Sequence, residues 1–127
     1  MEPIYILWLM ILCHIIDDFY LQGVLAKMKQ KKWWAEQVEN LDKSIYKYDY
    51  VECLCIHGFS WSIMIMLPII FFTSAPALLV SMLIIANAFT HAIIDHKKAN
   101  ELSINLIMDQ TAHLWQIITT WFVLLIP

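Results

Sequence analysis

Four apolar runs, each about as long as a bilayer is thick, constrain the fold of this chain more than any other feature. They lie at residues 4–21, 53–72, 75–94 and 102–126. A helix needs roughly 20 apolar residues to cross the hydrocarbon core, so each run predicts a transmembrane helix, the first marginally. We therefore expect an all-α polytopic membrane protein, one domain over residues 1–127 whose four transmembrane helices form a bundle.

The composition supports the same class of protein. The chain is 61% hydrophobic and 15% charged, whereas a soluble domain is nearer to half apolar and a quarter charged. This excludes a disordered chain, a collagen-like chain and a nucleic-acid-binding domain, and it does not suit an ordinary cytosolic enzyme. All eight cationic residues are lysines, so the bidentate guanidinium clamp that often binds phosphate is absent from the sequence.

The lysines predict on which side of the membrane each loop lies. Six lysines follow the first apolar run, and Lys97 and Lys98 separate the third run from the fourth, whereas the second connection and both termini hold none. Positively charged loops favour the cytoplasmic side. We therefore expect both lysine-bearing loops in the cytoplasm and both termini outside, in a bacterial inner membrane.

The segment at residues 27–50 is predicted to form an amphipathic helix on the cytoplasmic membrane surface. Its apolar side chains recur at spacings of four, three, four and three: Trp34, Val38, Leu41, Ile45 and Tyr48. That spacing places them on one face of a helix, and the aromatic residues suit the lipid headgroup region. A solvated loop with this spacing by chance is the alternative.

Ionisable residues inside the apolar runs are the most informative feature for function, because each costs about 2.5–3.5 kcal/mol at the bilayer centre on insertion scales. In three runs a histidine and an aspartate lie four residues apart, which places both on one helix face. The second run contributes a single histidine. These residues are His14 with Asp18, His91 with Asp95, Asp109 with His113, and the single His57.

Imidazole and carboxylate groups are ligands for Zn, Mn and Fe, and helical bundles build metal sites from such inward-facing pairs. At 1.5 Å of rise per residue, all these groups fall within roughly 0–17 Å of the lysine-bearing interface. We predict one or two divalent ions, zinc first and Mn or Fe as alternatives, bound by His14, Asp18, His57, His91, Asp95, Asp109 and His113.

Four further polar residues complete the predicted site. A carboxylate that is free of the metal can act as general base, and the predicted catalytic residues are Asp17 and Asp18. Side chains that donate hydrogen bonds to ligating carboxylates orient them. The residues predicted to do so are Gln22, Lys98 and Gln110.

These residues favour a membrane-embedded, metal-dependent hydrolase that acts on a lipid or lipid-linked ester or phosphoester at the cytoplasmic interface. A proton or divalent-cation transporter or channel is a second hypothesis, for which a 127-residue protomer would have to oligomerise. A non-catalytic accessory protein with a structural metal is the third. A polar network that only locks the helices together is the least specific interpretation. Membrane lipid is the expected partner in every case.

The order of these motifs resembles a known family of small membrane proteins. The resemblance is carried by His14-x-x-x-Asp18-Phe19-x-Leu21-Gln22, an isolated His57, His91-x-x-x-Asp95-x-x-Lys98 and Asp109-Gln110-x-x-His113. Over most of its length the chain resembles small bacterial and phage membrane proteins of the domain of unknown function 3307 family. The resemblance implies ligand positions rather than a reaction. More loosely, the chain is similar to small membrane proteins labelled metal-dependent hydrolases. The lysine- and tryptophan-rich segment after Gln22 departs from the family's pattern.

Overall fold

The computed structural model describes residues 1–37 and 44–126, and this part of the chain is helical and contains no strand. The predicted all-α class is therefore confirmed. The helices in chain order are α1 (Pro3–Ile15), α2 (Leu25–Met28), α3 (Lys31–Gln37), α4 (Asp49–Phe72), α5 (Ala77–His96) and α6 (Leu106–Leu125). Two wider π-helical turns extend the ends of α1 and α5, and they are π1 (Ile16–Leu21) and π2 (Lys97–Glu101).

Three segments of the described chain are long and apolar enough to cross a membrane, which is consistent with an integral membrane protein. They are Pro3–Leu21, Asp49–Phe72 and Ala77–Glu101. The fourth predicted span corresponds to α6, which is 20 residues long. It is not among the three because polar residues such as Asp109 and His113 lower its mean hydropathy.

The ends of two long helices differ from the ends of the apolar runs. Helix α4 begins four residues earlier than predicted, with Asp49 and Glu52 in its first turn, where the helix dipole stabilises negative charge. Helix α6 begins four residues later than predicted. Leu102 adopts a left-handed conformation with φ of 55°, and the Asn105 side chain caps α6 by accepting the Met108 backbone N–H at 2.9 Å.

The predicted amphipathic helix over residues 27–50 is not one continuous helix. In the described part, α2 and α3 are separated by Lys29 and Gln30, and residues 44–48 form a turn. Two positions of the predicted apolar face, Val38 and Leu41, lie outside the described residues. The prediction of an unbroken helix is therefore wrong.

Asn100 provides the physical reason for the break between α2 and α3. Its side-chain amide donates to the Lys29 carbonyl oxygen at 2.9 Å, and its side-chain oxygen accepts the Lys31 backbone N–H at 2.7 Å. Such side-chain bonds compete with the hydrogen bonds of a regular helix. Because Asn100 belongs to π2, the break also attaches this segment to the end of the third long helix.

The long helices pack so that apolar and polar interiors occupy opposite ends. Helix α1 contacts α4 and α6, and α5 contacts the same two helices. The apolar core consists of Ile6, Met10, Trp61, Ile65, Met66, Ile69, Val80 and Ile117. The core residues precede the histidines on α1 and α5 and follow them on α4 and α6. The histidines and aspartates therefore gather at the other end, near the lysines.

Gly58 lets α4 and α5 approach closely beside this polar end. A Cβ atom at Gly58 would lie 2.6 Å from the Ala88 carbonyl oxygen and 3.4 Å from the Ala92 side chain. The first distance is shorter than van der Waals contact allows, so the helix spacing here depends on the absence of a side chain.

Candidate metal centre

The structure brings all seven predicted ligands together in one buried polar cluster. Each of them is less than a tenth exposed, and so is Asp17. They come from α1 with π1, from α4, from α5 and from α6. The four-residue spacing explains why each helix presents its pair on one face, and the packing of the helices turns these faces toward one another.

The π-helical turn π1 brings two consecutive carboxylates into the cluster. Its wider loop is closed by the Gln22 backbone N–H, which donates to the Asp17 carbonyl oxygen at 3.1 Å, five residues back. Asp17 and Asp18 are both buried. One Asp17 oxygen accepts the Ser60 hydroxyl at 2.8 Å. The other oxygen is buried and has no hydrogen-bond partner in the described chain.

Asp95 lies at the centre of the cluster and faces three histidines. Its Oδ2 atom is 3.5 Å from His57 Nε2 and 3.7 Å from His91 Nε2. Its Oδ1 atom is 3.5 Å from His113 Nε2. The Lys29 ammonium also donates to Asp95 Oδ2.

Asp109 is the corresponding carboxylate on α6. Its Oδ1 atom is 3.5 Å from His113 Nε2, and its Oδ2 atom accepts the Lys98 ammonium at 2.6 Å. Gln110 donates to Asp109 Oδ2 at 3.0 Å and to Asp18 Oδ2 at 2.7 Å, and so joins α6 to π1. Gln22 donates to Asp18 Oδ1 at 3.2 Å. All three predicted orienting residues thus contact carboxylates of the cluster.

The cluster contains three groups of three residues. Within each group, one donor atom from every residue lies within 4.8 Å of the other two. The groups are Asp18 with His57 and His91, His91 with Asp95 and His113, and Asp18 with Asp109 and His113. Donor atoms bound tetrahedrally to zinc at about 2.0–2.1 Å lie roughly 3.3–3.4 Å apart. The nitrogen–oxygen separations of 3.3–3.7 Å within the cluster are close to that value and longer than a good hydrogen bond.

Several donor atoms of these groups have no hydrogen-bond partner in the described chain although they are buried. They are both ring nitrogens of His91, Nε2 of His113 and Oδ1 of Asp109. Buried polar atoms are almost always paired, and an unpaired one costs about 1–3 kcal/mol. The His91 ring packs against both Trp61 and His113, with ring centroids 4.2 and 4.0 Å away, so this imidazole is held in place without a hydrogen bond from its ring nitrogens.

His14 has a different environment from the other histidines. Its Nδ1 atom accepts the Trp61 indole N–H at 2.7 Å, and its Nε2 atom lies 3.1 Å from the side-chain oxygen of Gln110. Because an indole only donates, Nδ1 is an acceptor and the Nε2–H donates to Gln110. Both His14 nitrogens are thus engaged, and His14 is not part of the three groups. Its role as a ligand stays a prediction.

Trp61 is a site residue that the sequence analysis missed. It anchors a directed series of hydrogen bonds, from the indole through His14 and Gln110 to the carboxylates of Asp18 and Asp109. A signal was present in the sequence, because Trp61 lies four residues after His57 and a buried indole N–H usually finds a partner.

A cavity of about 360 Å³ leads to the cluster from the lysine-bearing end. It is bordered by residues after π1, by the α2–α3 break, and by α5 with π2. Among its lining residues are Gln22, Lys29, Asp95 and Lys98. Asp95 is therefore the predicted ligand through which the cluster meets this cavity.

Comparisons with protein-family models, with curated proteins and with solved structures each find no match to this chain. The resemblance described above therefore stays a prediction.

Proposed function

We propose that this protein is an integral membrane protein of the bacterial inner membrane whose four long helices span the bilayer as a bundle and bind one divalent metal ion. We further propose that the ion serves hydrolysis of a lipid or lipid-linked ester or phosphoester. The observation that carries the proposal is His91, an imidazole with 0% exposure and no hydrogen-bond partner for either nitrogen in the described chain. A metal ion would satisfy the otherwise costly Nε2 atom.

The charges of the cluster support a divalent ion. The cluster contains four buried carboxylates, those of Asp17, Asp18, Asp95 and Asp109. Two of them are paired with an ammonium group, Asp95 with Lys29 and Asp109 with Lys98. With neutral histidines, two negative charges are left uncompensated, which is expensive in a buried site. One divalent cation would neutralise both charges.

We assign the ion to His91, Asp95 and His113. The three candidate groups share residues pairwise, so a single ion accounts for the cluster without any ligand having to bridge two metals. Asp95 borders the cavity, and this group is therefore the one that water and a substrate can reach. Two histidines and one carboxylate are a ligand set of catalytic zinc sites, in which water takes the fourth position.

A bound ion would activate that water as a nucleophile, and we assign the role of proton acceptor to Asp17. Asp17 reaches the metal group through His57, whose Nε2 atom is 3.5 Å from Asp95 Oδ2. Its free oxygen is buried without a partner in the described chain and lies 3.8 Å from His57 Nδ1. In hydrolysis, the water oxygen bonds to the ester carbon or phosphorus, and the bond to the leaving oxygen breaks. One water proton would pass through His57 to Asp17 and return to the leaving oxygen. Asp18 already accepts bonds from Gln22 and Gln110, so Asp17 is the freer base.

The position of the cavity supports a lipid substrate. It opens at the end of the bundle that carries the lysines, the end that we expect in the cytoplasm. Lipid headgroups lie at that depth, so a lipid can present its ester or phosphoester to the ion without leaving the membrane. Membership of the domain of unknown function 3307 family is part of this proposal and rests on the motifs.

Transport of a divalent cation is the second candidate, and one observation supports it. Polar contacts continue from the cluster toward the middle of the bundle, from His113 to Gln116 at 3.3 Å, from Gln116 to Asn87 and from Asn87 to Thr120 at 2.8 Å. Beyond Thr120 the interior consists of apolar residues, which interrupts such a pathway. We therefore favour the enzyme.

Metal analysis of purified protein tests the proposal. We expect about one zinc ion per chain in the parent protein and in His96→Gln, and a loss of at least tenfold in affinity in His91→Gln and Asp95→Asn. His96 is a suitable control because it lies on α5 outside the three groups. Equal zinc content in all four proteins would overturn the metal assignment.

Turnover is tested separately, with vesicles of bacterial polar lipids as substrate. Release of fatty acid or phosphate that requires zinc and is lost in Asp17→Asn supports the hydrolase. Zinc flux into protein-loaded vesicles without any lipid turnover would instead support the transporter.

A further inference from the structure

The cavity that leads to the cluster has two lysines in its wall. Lys29 and Lys98 both border it, together with Gln22 and Asp95. The lysines lie far apart in the sequence and reach the cavity from different segments, one from the α2–α3 break and the other from π2. Their convergence therefore results from the fold rather than from a local run of lysines.

Lys29 is buried to an extent that is rare for lysine, with 8% of its surface exposed. Asn100 holds its backbone by donating to the Lys29 carbonyl oxygen. The neighbouring Lys27, in contrast, is exposed. The break in the helix thus turns one particular ammonium inward, which attraction to a membrane surface alone would not require.

Each of the two ammonium groups retains donors for a ligand. A lysine has three N–H donors, and the contacts described here use one from Lys29 to Asp95 and one from Lys98 to Asp109. A metal ion bound by Asp95 would share the charge of that carboxylate and leave Lys29 freer to bind an anion. With no arginine in the sequence, lysines are the fixed cations with which this chain can hold phosphate.

Gln22 provides an acceptor in the same cavity. Its side-chain nitrogen donates to Asp18, whereas its side-chain oxygen is buried and has no hydrogen-bond partner in the described chain. A ligand that carries a hydroxyl group next to its anionic oxygens would satisfy both kinds of group. An ester carbonyl can accept an N–H from a lysine, but it brings no negative charge to pair with the ammonium groups and no donor for the Gln22 oxygen.

From these observations we propose that the cavity is a phosphate-binding site, in which Lys29 and Lys98 hold the phosphate oxygens and Gln22 accepts a hydroxyl. The inference rests on the proposed function and narrows it, because it selects a phosphoester over a carboxylic ester. The two lysines determine specificity and are not metal ligands. The phosphate belongs either to a lipid headgroup or to a free phosphate compound.

Titration of the zinc-loaded protein with inorganic phosphate in a neutral detergent tests this site. We expect Lys29→Met and Lys98→Met each to weaken phosphate binding at least tenfold and to leave zinc content unchanged. Lys27→Met and Lys97→Met are the matched controls, because both side chains are exposed on the same two segments, and we expect the parent affinity in both. Lys98 is partly exposed, so its variant is the one that keeps the fold if Lys29→Met does not.

Equal phosphate affinity in all five proteins, or no phosphate binding by the parent, would overturn the inference even if zinc binds as proposed. If zinc fails to bind, the metal proposal fails, and the titration is repeated on the metal-free protein. In the metal-free protein, weaker phosphate binding by Lys29→Met and Lys98→Met alone still supports the phosphate site. Equal phosphate affinity in all five proteins still overturns it.

Nanodiscs of phosphatidylcholine with and without phosphatidic acid distinguish the two sources. Phosphatidic acid that displaces inorganic phosphate identifies a lipid headgroup as the ligand. Phosphate binding that is unaffected by phosphatidic acid identifies a free phosphate compound, and the site stands in both cases.

Discussion

The substitution Gly58→Ala tests two properties by separate measurements. The free energy of unfolding reports on the spacing of α4 and α5, and the zinc affinity reports on which residues bind the metal. Gly58 lies where α4 meets α5, and an added Cβ would be 2.6 Å from the Ala88 carbonyl oxygen. Since the obstacle is a backbone atom, a smaller side chain at position 88 cannot relieve it. The two helices must therefore move apart at this point.

The size of the effect follows from that distance. Ordinary van der Waals contact begins at 3.4 Å, so the local spacing of α4 and α5 must grow by about 0.8 Å if nothing else yields. Overpacking of this kind costs about 1–3 kcal/mol of the free energy of unfolding. His57 is the adjacent residue, and its distance of 3.5 Å to Asp95 should lengthen by a similar amount.

The metal group assigned above lies on α5 and α6 and does not include α4. We therefore expect Gly58→Ala to lower the free energy of unfolding and to change zinc affinity by less than threefold. Unfolding is measured by titration with sodium dodecyl sulfate in mixed micelles, followed by tryptophan fluorescence, and zinc affinity by competition with a chelator. Cys55→Ala, at an exposed position of the same helix, is the control and should behave as the parent.

Two results would refute this reasoning. A variant as stable as the parent would mean that the helices are not held at the spacing described here. A stable variant that loses zinc by tenfold or more would place the ion on the group that includes His57, with Asp18 and His91, rather than on the group with Asp95.

Two further substitutions test the contacts around the cluster. In Trp61→Phe, the ring stacked on the proposed ligand His91 becomes smaller and the indole donor to His14 is lost, so we expect roughly tenfold weaker zinc binding at unchanged stoichiometry. The visible spectrum of the cobalt-loaded protein should shift, which a purely structural loss would not cause. An unchanged affinity and spectrum would exclude Trp61 from positioning the site. In Asn100→Ala, the two bonds that interrupt the helix at Lys29 are lost, and we expect a loss of about 1–3 kcal/mol in the free energy of unfolding, with faster proteolysis between α2 and α3. Equal protease resistance in Asn100→Ala and parent would contradict that role.

Sequence patterns that repeat along a single helix correctly predicted the helical class and the side chains that share a helix face. The apolar runs indicated an all-α chain, and the four-residue spacing of histidine and aspartate indicated that each pair shares a face. Both depend on the geometry of a single helix, so no knowledge of the neighbouring helices was needed. The burial of all these residues in one cluster agrees with that expectation.

The predictions that failed depended on contacts between segments distant in the sequence. An unbroken amphipathic helix over residues 27–50 was predicted, but two bonds from Asn100, which lies in π2, accompany a break between α2 and α3, and residues 44–48 form a turn. Likewise, the shift of the first residue of α6 depends on the left-handed Leu102 and the cap at Asn105, neither of which alters the apolar pattern.

By itself, the sequence determined the helical class, the apolar character of the long helices and the residues that each helix presents as a potential ligand. Only the tertiary structure decided how these residues are arranged: His91 and His113 are stacked beside Asp95, whereas both nitrogens of His14 are taken by Trp61 and Gln110. The physical reason is that helical spacing sets the direction of a side chain, whereas its partner depends on how helices pack against one another. The sequence of one helix is thus enough to propose a metal ligand. The arrangement of the binding site depends on how several helices pack together.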